Sequence, residues 1–323
     1  MTVEATGEPA TIADAPPARP PEVLRWALGF VVLFLCVLPF LMVFIISFGE
    51  KIEGASWVFG LDAAHYQRFF VGALWPDSIE TLYLQKLAWS MYYAVIASCL
   101  AILTAFPFTY WLTRLSRRLQ TVWLIGLLAS LSLSEVFIVM GWDILLSARS
   151  GLPMVFKETG LTDWLKDTGW FAVLRDWGLA SPRNVKFKTS ELATILTMAY
   201  LVWPYAVILL YPALSRLDPS LVEAARTMGA GPVTVVRTVV LPSVRLPLLG
   251  ATLLLFVFLL GSYVTVTVFA DPAKQTLAIS IYDAVRGSTL NAPFGAAQSI
   301  MLLLSAAILL GLGRWLSLRG ARG

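Results

Sequence analysis

The stretch VVLFLCVLPFLMVFII, residues 31–46, decides the architecture of this chain. It holds no charged residue, and its apolar residues do not alternate with polar ones. It lies inside an apolar run of roughly 26–48, longer than the about 20 residues a helix needs to cross a bilayer. Lipid gives the backbone no hydrogen-bond partners, so a spanning segment must be a helix or a strand of a closed barrel. Barrel strands are short and alternating, which this run is not. Five similar runs follow at roughly 88–112, 121–147, 193–214, 246–269 and 297–316. The sequence therefore predicts an all-α membrane protein with six transmembrane helices. Pro39, Pro107 and Pro204 fall within runs and predict kinked helices whose freed carbonyls are satisfied by neighbours.

Composition agrees. Of 323 residues, 58% are hydrophobic and 14% charged, and mean hydropathy is +0.76. A soluble domain carries about 25% charged residues, so this composition excludes a soluble enzyme, a disordered chain and a nucleic-acid-binding module. The isoelectric point of 9.1 rests on a net charge of only +4, too small to imply a polyanionic ligand. Cys36 and Cys99 both lie in apolar runs and give neither a disulfide framework nor metal-ligand spacing. His65 is the one histidine and reads as an ordinary loop residue. With no HExxH and no nucleophile–base pair, an intramembrane enzyme is disfavoured. Residues 1–25 are Pro/Ala-rich with Glu4, Glu8 and Asp14, and read as a disordered cytoplasmic tail rather than the basic start of a signal peptide. A single transmembrane domain then covers 26–316, and 317–323 form a second cytoplasmic tail.

Orientation follows the basic residues. The N-terminal tail, the 113–120 turn, the 215–245 loop and the C-terminal tail carry twelve arginines against six acids. The 49–87, 149–192 and 270–296 loops carry twelve basic residues against twelve acids. The first set is read as cytoplasmic, with both termini inside; Arg114, Arg117 and Arg118 in the 113–120 turn are the clearest sign. The outer loops hold Trp57, Phe59, Trp75, Trp164, Trp170 and Trp177. These fit first an interfacial aromatic belt, a reading compatible with a docking surface for an extracytoplasmic partner.

The 215–245 loop, SRLDPSLVEAARTMGAGPVTVVRTVVLPSVR, is the most informative segment. Asp218 is a good N-cap and Pro219 suits the first helical position. Leu221, Ala224, Ala225 and Met228 recur at i, i+3, i+4 and i+7, which places them on one face. Gly229 fits a left-handed helix end. Gly231-Pro232 starts a second short helix, which Pro242 is expected to stop. A small face centred on alanines admits close approach of another protein's groove. Met228 can adapt to an irregular surface, and Glu223 can cap or pair with a partner's arginine. The alternative, an amphipathic helix resting on lipid, lacks a Phe or Trp to anchor it.

Glu223-Ala224-Ala225, Gly229, Leu241-Pro242 and Pro247 resemble the EAA loop of binding-protein-dependent ABC importer permeases. GSYVTVTVF (261–269), TLAISIYDAV (276–285), NAPFGAAQSIMLLL (291–304) and GWDILLSARSGLP (141–153) are similar to spermidine/putrescine-type permeases of that class. The resemblance covers roughly 26–316. It implies the type I ABC importer permease fold, in which Glu223, Ala224, Ala225, Met228, Gly229, Leu241 and Pro242 form the coupling helix that docks on the ATPase. It also implies two ATP-binding cassette subunits that carry ATP and Mg, so that this chain binds no cofactor itself. A second permease subunit, expected to be a related different chain, and an extracytoplasmic solute-binding protein complete the assembly. The setting is the bacterial inner membrane. Consistent with a separate motor, no Gly-Lys pair occurs, so there is no P-loop. The chain departs from the family at Ile138 and Met140, where an Arg and a Tyr are common, and at Val266, where a Pro is common. These departures bear on the solute rather than on the importer class.

Two acids, Glu135 and Asp143, fall inside the third run. Charges within a span are costly and mark functional candidates. At about 100° per residue, eight residues leave them about 80° apart, and Trp142 lies near the Glu135 stripe. A carboxylate beside an aromatic face can hold an amine. Glu135, Trp142 and Asp143 are therefore candidates to line a path for a cationic solute, with polyamine the first expectation. The opposing reading is that the acids hydrogen-bond to neighbouring helices and set their register. Weaker path candidates are Tyr200, Trp203 and Tyr205 around Pro204, and Ser262, Tyr263 and Thr265 after Gly261. The reading is an ATP-driven permease for a small polar or cationic solute; the alternatives are a secondary transporter driven by an ion gradient and the same importer class carrying a non-polyamine solute.

Overall fold

The computed structural model describes residues 22–52, 55–182, 184–287 and 290–320. In chain order, α1 (Glu22–Ile46) leads through an antiparallel hairpin, β1 (Glu50–Ile52) and β2 (Ala55–Val58), to α2 (Ala64–Val71). Next come α3 (Leu82–Leu112), α4 (Arg117–Leu131) and α5 (Glu135–Leu146). Three short helices follow: α6 (Leu152–Glu158), α7 (Leu161–Asp167) and α8 (Trp170–Asp176). Then come α9 (Glu191–Ser215) and α10 (Pro219–Thr227). A composite helix is built from α11 (Pro232–Val235), a π-turn (Val236–Val240) and α12 (Leu241–Ser243). The chain ends with α13 (Arg245–Leu260), α14 (Val264–Phe269), α15 (Leu277–Arg286) and α16 (Ala292–Gly320).

Among the described residues, α1, α3, α9 and α16 are long and apolar enough to cross a membrane unbroken. Two bent pairs raise the number to as many as six where each pair makes one passage: α4 with α5, at 94°, and Pro232–Ser243 with α13, at 74°. The predicted tails change in extent. Residues 22–25 already belong to α1 and 317–320 continue α16, while 1–21 and 321–323 lie outside the described residues.

Two predicted continuous spans are broken. Within 121–147 the helix stops at Leu131 and restarts at Glu135. The hydroxyls of Ser130 and Ser132 turn back onto the Leu127 and Leu128 carbonyls, and Ser134 accepts from the Val136 amide as a cap. Within 246–269 the break falls between Leu260 and Val264. Beyond Gly261, the Ser262 and Thr265 side chains bond to another helix rather than to their own carbonyls.

The centre of the bundle is α3 against α9 and α13. Ala94, Ala97, Ala101 and Ala105 form a fully buried small-residue stripe on α3. Where lipid replaces water there is little hydrophobic drive between helices, so close backbone approach supplies the packing energy. Met198, Val202, Ala206 and Leu210 of α9, with Leu255 and Leu259 of α13, fill the facing surface. By contrast, α1 buries no residue at all. Its one packed side, half-buried at Leu38, Val43, Ile45 and Ile46, meets α16, and the rest of this 25-residue apolar helix is open to lipid.

Candidate functional site

The segment after α9 is shaped by its caps. Asp218 accepts from the Ser220 amide at 2.9 Å and starts α10, and Pro219 takes the first helical position. The Ser220 bonds hold the Asp218 carboxyl below the usual carboxylate range. At the other end Gly229 adopts φ +83°. The Gly229 amide reaches the Arg226 carbonyl and the Ala230 amide the Ala225 carbonyl, closing the last turn.

The predicted α10 face comes together: Leu221, Ala224, Ala225 and Met228 line an open groove with Thr238, Pro242 and Arg245. Within it Ala225 is buried, and Val222, outside that face, is buried in the bundle core. The groove measures about 640 Å³. Met228 is 81% exposed and Leu221 50%, so the groove presents apolar surface outward. Glu223 and Leu241 are exposed beside it. Pro242 does not stop the second helix as expected. The Leu241 amide bonds back to the Val236 carbonyl, five residues earlier, and this widened turn removes the clash a proline ring makes in a regular helix. The helix ends only at Val244, where the chain turns 74° into α13.

At the far end of α13, Glu135 joins the two broken spans. Its Oε1 accepts from the Ser262 hydroxyl at 2.8 Å, the Thr265 hydroxyl at 2.9 Å and the Thr265 amide at 3.4 Å. Ser262 and Thr265 are buried and Glu135 half-buried. Tyr263, in the same break, stacks on Tyr282 with ring centroids 4.5 Å apart. Asp143, two turns further along α5, pairs instead with Lys188 in the loop before α9. The acids thus have separate partners. Trp142 meets Tyr200 at 5.5 Å. Trp203 packs on Phe108 of α3 and Tyr205 on Phe258 of α13. Lys188 is invisible to sequence reasoning because nothing local links it to α5.

At the opposite end of the bundle from α10, Glu191 at the start of α9 pairs with Lys274, whose ammonium lies 5.1 Å from the Trp89 ring. These groups border a cleft of about 820 Å³ with Asp176, Trp177 and Asp271. Phe59, Trp75, Trp164, Trp170 and Trp177 are exposed at this end. His65 is not a plain loop residue. It is buried on α2, and its Nε2 lies 3.0 Å from the Gly49 carbonyl, tying α2 to the hairpin.

Six apolar passages, with an exposed capped helix rigidly joined to one of them, define a multi-pass membrane permease. Residues 88–320 match the family described as "Binding-protein-dependent transport system inner membrane component", and the chain belongs to it. It is a permease of the ABC importer class. The spermidine/putrescine transport system permease protein PotB of Salmonella typhimurium (strain SL1344) is 23% identical over 279 residues, covering 86% of this chain and 90% of that protein. PotB of Escherichia coli (strain K12) is 24% identical over 274 residues, covering 85% and 92%. The fold resembles a chain of the bacterial alginate ABC transporter crystallised with an alginate pentasaccharide-bound periplasmic protein. That match has a TM-score of 0.63 and 13% identity, and covers 92% of this chain and 94% of that one.

Proposed function

We propose that this permease conducts a small cationic solute of the polyamine type, delivered by an extracytoplasmic binding protein and driven by ATP on separate subunits. One observation carries the reading. The α10 groove continues through the 74° turn into α13, and α13 ends at the break whose Ser262 and Thr265 bond Glu135. A load on the groove is thereby connected to a carboxylate between broken spans. Helix breaks of this kind are where transporters build solute sites.

In this scheme there are two ATP-binding cassette subunits, carrying ATP and Mg; one grips this chain's α10 groove at Leu221, Ala224, Ala225, Met228 and Pro242, and the other grips a second coupling helix. A single chain offers one such helix, so the assembly needs a second permease, proposed to be a related different chain. Both termini are proposed to face the cytoplasm with α10. The cationic solute is supported by Glu135, by the Tyr263–Tyr282 ring stack in the same break, and by the names of the relatives.

The test is uptake of labelled spermidine and putrescine into proteoliposomes holding the full transporter and its binding protein. Uptake should require ATP inside, and Glu135→Gln should lower it at least tenfold while leaving assembly intact. Full uptake by Glu135→Gln removes the carboxylate from the path. Uptake driven by an ion gradient without ATP supports the secondary-transporter reading instead.

A further inference from the structure

A second pocket lies at the end of the bundle remote from α10, between the hairpin, α2, α15 and α16. It measures about 540 Å³ and shares no residue with the Glu135 junction. Gln298 lines it, is 0% exposed, and has no partner for either its Oε1 or its Nε2. Leaving a buried polar atom unmet costs about 1–3 kcal/mol, so two unmet atoms on one carboxamide point to an occupant. Arg68 lines the same space. Its guanidinium lies 4.5 Å above the Phe294 ring, and its Nε is buried without a partner.

We propose that this pocket binds a compact zwitterion bearing an oxyanion and a primary ammonium, the chemistry of an ethanolamine phospholipid headgroup. The oxyanion faces Arg68 and the Gln298 amide N–H. The ammonium faces the Gln298 carbonyl and the Phe294–Tyr83 ring pair, whose centroids are 4.9 Å apart. Lys51 and Asp283, both also engaged within the protein, line the pocket and add one charge of each sign. Depth agrees with a headgroup. Gln298 lies six residues into α16, about 9 Å along the helix, and Tyr83 is the second residue of α3. The pocket thus sits at the membrane edge rather than in its core.

The full transporter is reconstituted in nanodiscs of phosphatidylglycerol alone, of equimolar phosphatidylglycerol and phosphatidylethanolamine, and of equimolar phosphatidylglycerol and phosphatidylcholine. Thermal unfolding and native mass spectrometry are read in each. Phosphatidylethanolamine should raise the midpoint by about 2–4 °C and remain bound to the permease. Phosphatidylcholine, whose quaternary ammonium cannot donate, should not. Gln298→Leu should abolish that rise without lowering the midpoint in phosphatidylglycerol, because it removes a buried unpaired amide. Arg68→Met should weaken the rise while keeping the contact with Phe294. Added phosphoethanolamine raising the midpoint in phosphatidylglycerol, with no effect of the lipid, identifies a free zwitterion as the source. Equal midpoints in all discs with no response to phosphoethanolamine, or a lipid-dependent rise that survives Gln298→Leu, overturns the proposal.

Discussion

Glu135 combines two properties that can be separated by mutation. As an acceptor it holds the α13–α14 break through the Ser262 and Thr265 hydroxyls; as an anion it is proposed to face the solute path. Glu135→Gln keeps an acceptor oxygen and removes the charge. Glu135→Leu removes both and strands buried donors, at a cost of about 1–3 kcal/mol. The expected outcome is a lowered unfolding midpoint for Glu135→Leu and a near-native one for Glu135→Gln, measured in the same detergent. Equal midpoints for the two would show that the junction contributes nothing to stability. Asp218 gives a second prediction at this scale. Its carboxyl is held low by Ser220, so the folded state favours the anion. That contribution is present above the unfolded-state value of about 3.9 and is lost as pH falls through the lower folded value. Asp218→Asn keeps a capping oxygen and should flatten the acid limb of the midpoint-versus-pH curve relative to the native chain.

At the scale of elements, α10 depends on its ends. Gly229 has open space around its Cα, so a side chain there meets no clash, only the backbone cost of φ +83°, about 1–2 kcal/mol. Gly229→Val should therefore leave the bundle folded and loosen α10. The predicted readout is ATP hydrolysis that no longer responds to the loaded binding protein, with basal hydrolysis retained. Wild-type stimulation in this variant would mean that the cap does not matter to coupling. The caps of α10 were legible in the sequence because Asp218, Pro219 and Gly229 act within a few residues of where they stand. The two broken spans were not, because an apolar run reports only that a segment prefers lipid, and Ser134 caps α5 from inside such a run. The partners of Glu135 were equally hidden, since Ser262 is 127 positions away. Pro242 carried a true local signal, a helix stop, that the π-turn at Val236–Val240 displaces to Val244.

For the whole molecule, arginine placement sets the proposed topology. Arg118 lies at the start of α4, on the side proposed to be cytoplasmic. In a chain with Cys36 and Cys99 changed to serine, Arg118→Cys should react with a membrane-impermeant maleimide in inverted vesicles and not in intact spheroplasts. The reverse pattern would invert the topology. The 74° turn at Val244 has a mechanical corollary. The twelve residues from Pro232 to Ser243 make an arm of about 18 Å, so swinging it by about 10° about Val244 carries its tip about 3 Å. In the proposed function, with α13 as the axle, a small stroke by a motor at the groove becomes a torque delivered deep within the bilayer, and stiffness at this one corner sets how much of each stroke arrives.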